Sequence, residues 1–364
     1  MALSIRGLAT AVPRQNVNSI ESRILSEKVN AIEDRHFSLL RRIYRRLQIK
    51  SRGSVLLTGD SDQPIEHRLP FYQNDSPSTS ERMQLFQLHA TPLAVEACQS
   101  ALAESKLNAS TVTHLITVCC TGFHAPGVDL DLIHQLGLNA GVQRTHVGFM
   151  GCHASLNALR VAHAFTQADP SAVVLMCSVE LCSLHLQYGW NPEQVIANSL
   201  FADGAAAVVA SHGQPSCLDD SSVMMKLNAS GSNVIPMTRD LMHWKVGNHG
   251  FSMGLSANVP DAIAKNLQPW IDRWLNTYHY SLSDINHWAV HPGGPRILQA
   301  CADALSLSSH LMNDSRDIMS EYGNMSSATV LFVLDRMRLR CHKGPCVALA
   351  FGPGLSAEIA LFEL

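Results

Sequence analysis

Five short apolar runs rich in β-branched residues recur along the chain: HLITVCCTG (114–122), AVVLMCS (172–178), AAAVVA (205–210), HWAVHPGG (287–294) and CVALAFGPG (346–354). Each is closed by turn-forming residues. Runs apolar on consecutive positions read as strands covered on both faces. Between them lie helix-period segments: LFQLHATPLAVEACQSALAE (85–104), GVDLDLIHQLGL (127–138), the stretch after Cys152, DAIAKNLQPWIDRWLNTY (261–278) and SSATVLFVLDRMRLRC (326–341). This alternation predicts a layered α/β fold.

At 364 residues, with 46% hydrophobic and only 16% charged residues, the chain has enough apolar surface for a large core and a subunit interface. The polar, turn-rich stretch SHGQPSCLDDSS (211–222) divides it into halves, 1–211 and 212–364. Both halves turn into a helix at a polar corner, at Gly148 to Cys152 in the first and at Gly323 and Asn324 of EYGNMSSATVLFVLD in the second. The parallel predicts an internal duplication.

A formal net charge of −3 gives nucleic acid or an anionic membrane no electrostatic hold on the whole chain. The ten cysteines lack regular spacing, and the opening MALSIRGLATAVP has no apolar signal core, so free thiols in a reducing cytoplasm are expected. The longest apolar stretch, SAVVLMCSVELCSL, is interrupted by Glu180 and falls short of the roughly 18 residues a membrane span needs. Cys119, Cys120, Cys177 and Cys182 match no zinc spacing, and no metal is expected. Residues 33–52, EDRHFSLLRRIYRRLQIKSR, set Phe37, Leu40, Ile43, Tyr44 and Leu47 on one helical stripe, with Arg41, Arg42, Arg45, Arg46, Lys50 and Arg52 on the rest. That pattern is either a solvated face or an anchor for phosphate groups.

The strongest chemical signal is GFMGCHASLNALRVAHAF (148–165). A Gly-bounded turn delivers Cys152 to the start of a helix apolar on nearly all sides, where free N–H groups and the helix dipole favour a thiolate and can hold an oxyanion. Among eighteen histidines His291 stands apart, because HWAVHPGGP ends a strand and turns sharply at Pro292. Asn324 is by itself an ordinary candidate N-cap. GFSMG (250–254) satisfies the G-x-S-x-G pattern of a serine hydrolase with Ser252 as nucleophile, but the sequence around it lacks the strand-then-helix context. GPGLSA (352–357) imitates a dinucleotide loop with no room for the helix that must follow.

Taken together, GCHAS, AVHPGGP and EYGNMSSA, with ATAVP near the start, TGFHAPGVD, LFADGAAAVV and AFGPGLSAE, resemble the type III polyketide synthases, the chalcone and stilbene synthase family. The resemblance runs over nearly the whole chain. It implies a thiolase-like fold, a duplicated α-β-α-β-α layering, and a homodimer. It implies a triad of Cys152 as acyl acceptor with His291 and Asn324 stabilising the enolate formed when malonyl-CoA loses CO2. The substrates would be CoA thioesters with no added cofactor, and delivery of the starter by an acyl carrier protein stands as an alternative. The resemblance also places Phe201, Met253, Leu181, Leu184 and Ser326 at the cavity and Gly352, Pro353 and Gly354 in a cavity-shaping turn; the basic helix, with Lys50 and Arg52, would hold CoA phosphates. Met253 stands where plant enzymes have Phe, Ala125 where they have a Met reaching into the partner's cavity, and Met150 where they have Gln. Met253, Leu181 and Leu184 point to a fatty acyl starter and an alkylresorcinol or alkyl-α-pyrone product, with an aromatic starter as the alternative.

Overall fold

The computed structural model describes residues 2–30, 33–73, 75–213 and 223–364. Nine strands form one mixed sheet: β1 (Leu3–Ala11), β2 (His114–Cys119), β3 (Gln143–Gly148), β4 (Val173–Leu181), β5 (Asp203–His212), β6 (Met225–Val234), β7 (His287–Val290), β8 (Pro345–Gly352) and β9 (Ser356–Glu363). Their spatial order is β7-β8-β9-β6-β1-β5-β4-β2-β3. The five apolar runs read from the sequence are β2, β4, β5, β7 and β8. All residues of β2, β4 and β5 are buried, as strands covered on both faces must be.

The topology carries the expected duplication. In the first half β2 runs parallel to β4, β4 antiparallel to β5 and β5 antiparallel to β1. In the second half β7 runs parallel to β8, β8 antiparallel to β9 and β9 antiparallel to β6. The two sets meet where β1 pairs antiparallel with β6. Among the described residues only β3, parallel to β2 at the sheet edge, has no counterpart.

Four helices repeat the relation: α1 (Thr79–Ser105) precedes β2 as α3 (Val259–Asn276) precedes β7, and α2 (Ala154–Ala168) precedes β4 as α4 (Thr329–Leu339) precedes β8. One core gathers Leu156 and Leu159 of α2 and Leu331 and Leu334 of α4 with inward residues of both half-sheets, among them Ile116, Val208, Ala348 and Phe362. A second core packs α1 on the outer face of the first half-sheet through Phe86, Ala94 and Ala101. A third packs α3 on the second half-sheet through Ile263, Leu267 and Ile271. The layers are therefore α1, half-sheet, α2 with α4, half-sheet, α3. The polar break at 211–222 begins inside β5, which runs to His212, and residues 214–222 lie outside the described residues. Nine of the ten cysteines fall among the described residues, and all nine are free thiols.

Candidate active site

The buried start of α2 carries Cys152, delivered there by a turn in which Phe149 (φ 57) and Gly151 (φ 86) take left-handed backbone. Gly151 is required on two counts: its φ suits glycine, and an added Cβ would sit 2.3 Å from Cδ of Pro353. Gly352 is required too, since a Cβ there would lie 2.4 Å from the His153 ring. The β8–β9 turn thus locks against the Cys152 turn, and Pro353 lines the cavity beside Cys152, while Gly352 and Gly354 (φ 117) supply the room and the bend.

His291 follows β7, with its N–H donating to the Leu349 carbonyl at 2.8 Å and its own carbonyl accepting from Gly293 at 2.9 Å. The ring is buried at 2% exposure, and neither ring nitrogen has a hydrogen-bond partner. Asn324 comes, like His291, from the second half and meets Cys152 of the first. Its N–H donates to the Leu200 carbonyl and its carbonyl accepts from Ala202, both at 2.9 Å, so its backbone is bridged alongside Phe201. Its Oδ1 accepts from the Ser326 N–H at 2.9 Å and the Thr329 hydroxyl at 3.4 Å. That fixes the carboxamide with its N–H side toward Cys152, and the Ser326 hydroxyl lies 3.7 Å from the sulfur. Cys152, His291 and Asn324 line one cavity, with Phe201 and Met253 in its wall.

Burial pushes the Cys152 thiol up to about 12, opposed by the Ser326 hydroxyl and the Asn324 carboxamide. Burial likewise pushes the His291 imidazole down to about 3. Desolvation is the largest influence on the sulfur and acts against the helix start, whose positive end stabilises a thiolate. Burial thus opposes the thiolate that the helix start favours, and it favours the neutral imidazole at His291. Ionisation needs a proton acceptor inside the same cavity, and the unpartnered His291 nitrogens are the groups available there. Passing the proton from sulfur to ring creates no net charge.

Three further spaces adjoin this cavity. An inner one lies on the other side of Cys152, lined by Cys120, Cys182, Trp244 and Ser326. A deeper one is lined by Val17, Leu25, Leu56, Leu57, Leu69 and Tyr72, and shares Cys182, Phe201, Trp244 and Met253 with the inner one. Toward solvent, a groove shares Leu200, Leu255, Gly293 and Ile297 with the triad cavity. Phe201 and Met253 border all three inner spaces, where a side chain can gate passage from one to the next. Leu181 and Leu184 do not line any of them: both are fully buried in the core under α1, and Cys182, Ser183 and His185 face the deep pocket instead. At the end of a strand, a register error of one residue moves a side chain to the opposite face. Apolar side chains of this wall come instead from Val17, Leu25, Leu56, Leu57 and Leu69, together with Leu186, Phe201, Trp244, Phe251 and Met253.

The basic helix is observed over Asp34–Leu47, with Leu40, Tyr44 and Leu47 buried as the stripe required. Arg46 lines the groove at its outer end, together with Arg296. Arg42, Arg45, Arg46 and Lys50 are exposed. Arg52 is not a phosphate ligand: it is buried, and its Nη1 donates to the carbonyls of Asn198 at 2.7 Å and Phe201 at 2.8 Å. Lys50 is exposed but does not line the groove.

Ser252 sits inside a strand of the hairpin Met242–Gly247/Gly250–Leu255, paired with Lys245, so no nucleophile elbow exists there. Glu180, fully buried and pushed up by desolvation, accepts from the Cys120 N–H and the hydroxyls of Thr121 and Ser327, tying the two halves together beneath Cys152. Among the described residues no cluster of His, Cys, Asp and Glu is placed to hold a metal ion, and no helix is long and apolar enough to cross a membrane.

Residues 4–214 match the family profile of the N-terminal domain of chalcone and stilbene synthases, and residues 226–363 that of the C-terminal domain. The chain is 32% identical over 367 residues to the alpha-pyrone synthesis polyketide synthase-like Pks18 of Mycobacterium tuberculosis, covering 99% of this chain and 91% of that protein. It is 36% identical over 274 residues to the 1,3,6,8-tetrahydroxynaphthalene synthase of Streptomyces peucetius subsp. caesius, covering 74% of this chain and 72% of that one. The crystal structure of PKS-I from the brown alga Ectocarpus siliculosus superposes with a TM-score of 0.92 at 30% identity, covering 100% of this chain and 98% of that chain.

Proposed function

The chain belongs to the chalcone and stilbene synthase family of type III polyketide synthases, and from that premise we propose that it elongates a fatty acyl starter on Cys152. The family's chemistry is acyl transfer by decarboxylative Claisen condensation between CoA thioesters. In this reading the Cys152 proton passes to His291 as the sulfur attacks the starter carbonyl; the C–S bond to CoA breaks, and the departing thiolate takes that proton. Malonyl-CoA then loses CO2, and the released electron pair forms an enolate whose oxygen accepts hydrogen bonds from His291 and the Asn324 carboxamide. The enolate carbon attacks the enzyme thioester, Cys152 leaves as thiolate, and the lengthened chain returns from CoA to the sulfur for the next round. An enol oxygen closing on the thioester releases an α-pyrone and the Cys152 thiolate; aldol closure of a chain methylene onto a ketone, with loss of water, hydrolysis of the thioester and loss of the resulting carboxylate as CO2, gives the alkylresorcinol. The name of the mycobacterial relative favours the pyrone.

The observation that carries the fatty acyl starter is the deep pocket: aliphatic side chains, Leu25, Leu56, Leu57 and Leu69, line it, and it adjoins the space around Cys152 through Cys182, Phe201, Trp244 and Met253. CoA would occupy the outer groove, its phosphates against Arg46 and Arg296. A homodimer is proposed from an exposed apolar patch, Phe123 (54%), Phe149 (40%) and Met150 (42%), beside the open sheet edge at β3. Product mass spectrometry with a panel of acyl-CoA starters and malonyl-CoA tests the reading. Alkylpyrones or alkylresorcinols from medium or long starters support it; products only from aromatic starters refute it.

A further inference from the structure

Arg52 has no place in the chemistry above, yet it joins two parts of the site. It lies on the short strand Ser51–Gly53, is 9% exposed, and borders the deep pocket. One nitrogen, Nη1, donates to the carbonyls of Asn198 and Phe201, at the last turn and C-cap of the helix Pro192–Leu200. A cation there satisfies terminal carbonyls and complements the negative end of the helix dipole. On its other side the same segment is bonded to Asn324, through Leu200 O and Ala202 N. The stem of Arg52 also runs under Gly323: a Cβ there would lie 3.0 Å from Cγ of Arg52 and 2.9 Å from the Leu200 carbonyl. Residues 200–202 are thus clamped between the guanidinium and Asn324, and the residue preceding Asn324 rests on the arginine stem.

We propose that Arg52 is a positioning residue for the decarboxylation and condensation steps, acting through the Leu200–Ala202 backbone to hold Asn324 and the Phe201 gate. The inference rests on the reading of Cys152, His291 and Asn324 as the reacting centre. Starter loading needs Cys152 and His291, which Arg52 does not touch. Enolate formation needs the Asn324 carboxamide aimed at an oxygen, and a displacement of about 1 Å can cost on the order of a hundredfold.

The test is Arg52→Met, which keeps an apolar stem and removes both donors, compared with Arg52→Lys, whose single ammonium can still reach the carbonyls, and with Asn324→Ala as reference. Each folded variant is assayed for acylation of Cys152 by acetyl-CoA, whose chain is too short to reach the deep pocket that Arg52 borders, and for CO2 release from malonyl-CoA. Arg52→Met should lower kcat for CO2 release about tenfold to a hundredfold with KM for malonyl-CoA within about threefold, and leave acylation within about threefold. Arg52→Lys should restore most of the loss. Equal loss of both activities, no loss in either, or a failure of Arg52→Lys to restore overturns the inference. If Arg52→Met does not fold, Arg52→Gln takes its place with the same criteria. If Asn324→Ala itself does not separate the two activities, the reading of the triad falls; if only Arg52→Met fails to separate them, the inference alone falls.

Discussion

Leu57→Trp tests whether the deep pocket holds the starter's alkyl chain. The indole would fill space now bounded by Leu25, Leu56, Leu57 and Leu69. Each methylene taken from water into an apolar pocket contributes about 0.8 kcal/mol, so kcat/KM in the wild type should climb up to about fourfold per CH2 until the pocket is full. If the indole excludes four methylenes, the longer starters lose about 3 kcal/mol, or roughly two hundredfold, while starters short enough to stop before the block stay within about threefold. Even-numbered acyl-CoA thioesters from hexanoyl to tetradecanoyl, with malonyl-CoA consumption as readout, give the profile. Overpacking costs of about 1–3 kcal/mol are expected in stability, so the comparison is made between starters within the one variant. A uniform loss across all lengths, or an unchanged length preference, would refute the assignment.

Gly151→Ala forces a side chain onto left-handed backbone and against Pro353, so a destabilisation of about 3 kcal/mol or more is expected by denaturant titration; an unchanged midpoint contradicts the interlocked turns. His291→Ala removes the cavity's proton acceptor and should slow Cys152 acylation about a hundredfold or more, measured by intact mass over time; unchanged loading removes His291 from that role. Burial holds His185 down to about 3 from 6.5, so the folded state prefers it neutral, and its contribution is present above pH 6.5 and lost as pH falls toward 3. Between pH 7.5 and 5.5 that loss is about 1.4 kcal/mol, and His185→Asn should reduce the drop in unfolding free energy by this amount; an equal drop in variant and wild type contradicts it.

What the sequence disclosed follows from what each element buries. Strands covered on both faces, such as AVVLMCS and AAAVVA, announce themselves as apolar runs. The two strands that join the halves do not: β1 carries Arg6 and Gly7 and β6 reads MKLNASGSNV, so pairing and neighbouring layers, not composition, make them strands. The Cys152 and His291 corners were legible because turn residues mark them, whereas Asn324, an ordinary candidate N-cap by itself, stood out only through the family resemblance. Cavity walls were less legible, since Leu181 and Cys182 differ by one position yet face opposite ways. Arg52 looked like one more cation of a basic run, and only the fold shows its guanidinium turned inward to two carbonyls.

The most direct test of the reacting centre is intact-protein and peptide mass spectrometry after incubation with decanoyl-CoA alone. A single added acyl group on the Cys152 peptide in the wild type and in Asn324→Ala, absent in Cys152→Ala, is the predicted result. Equal acylation of Cys152→Ala and wild type would contradict it.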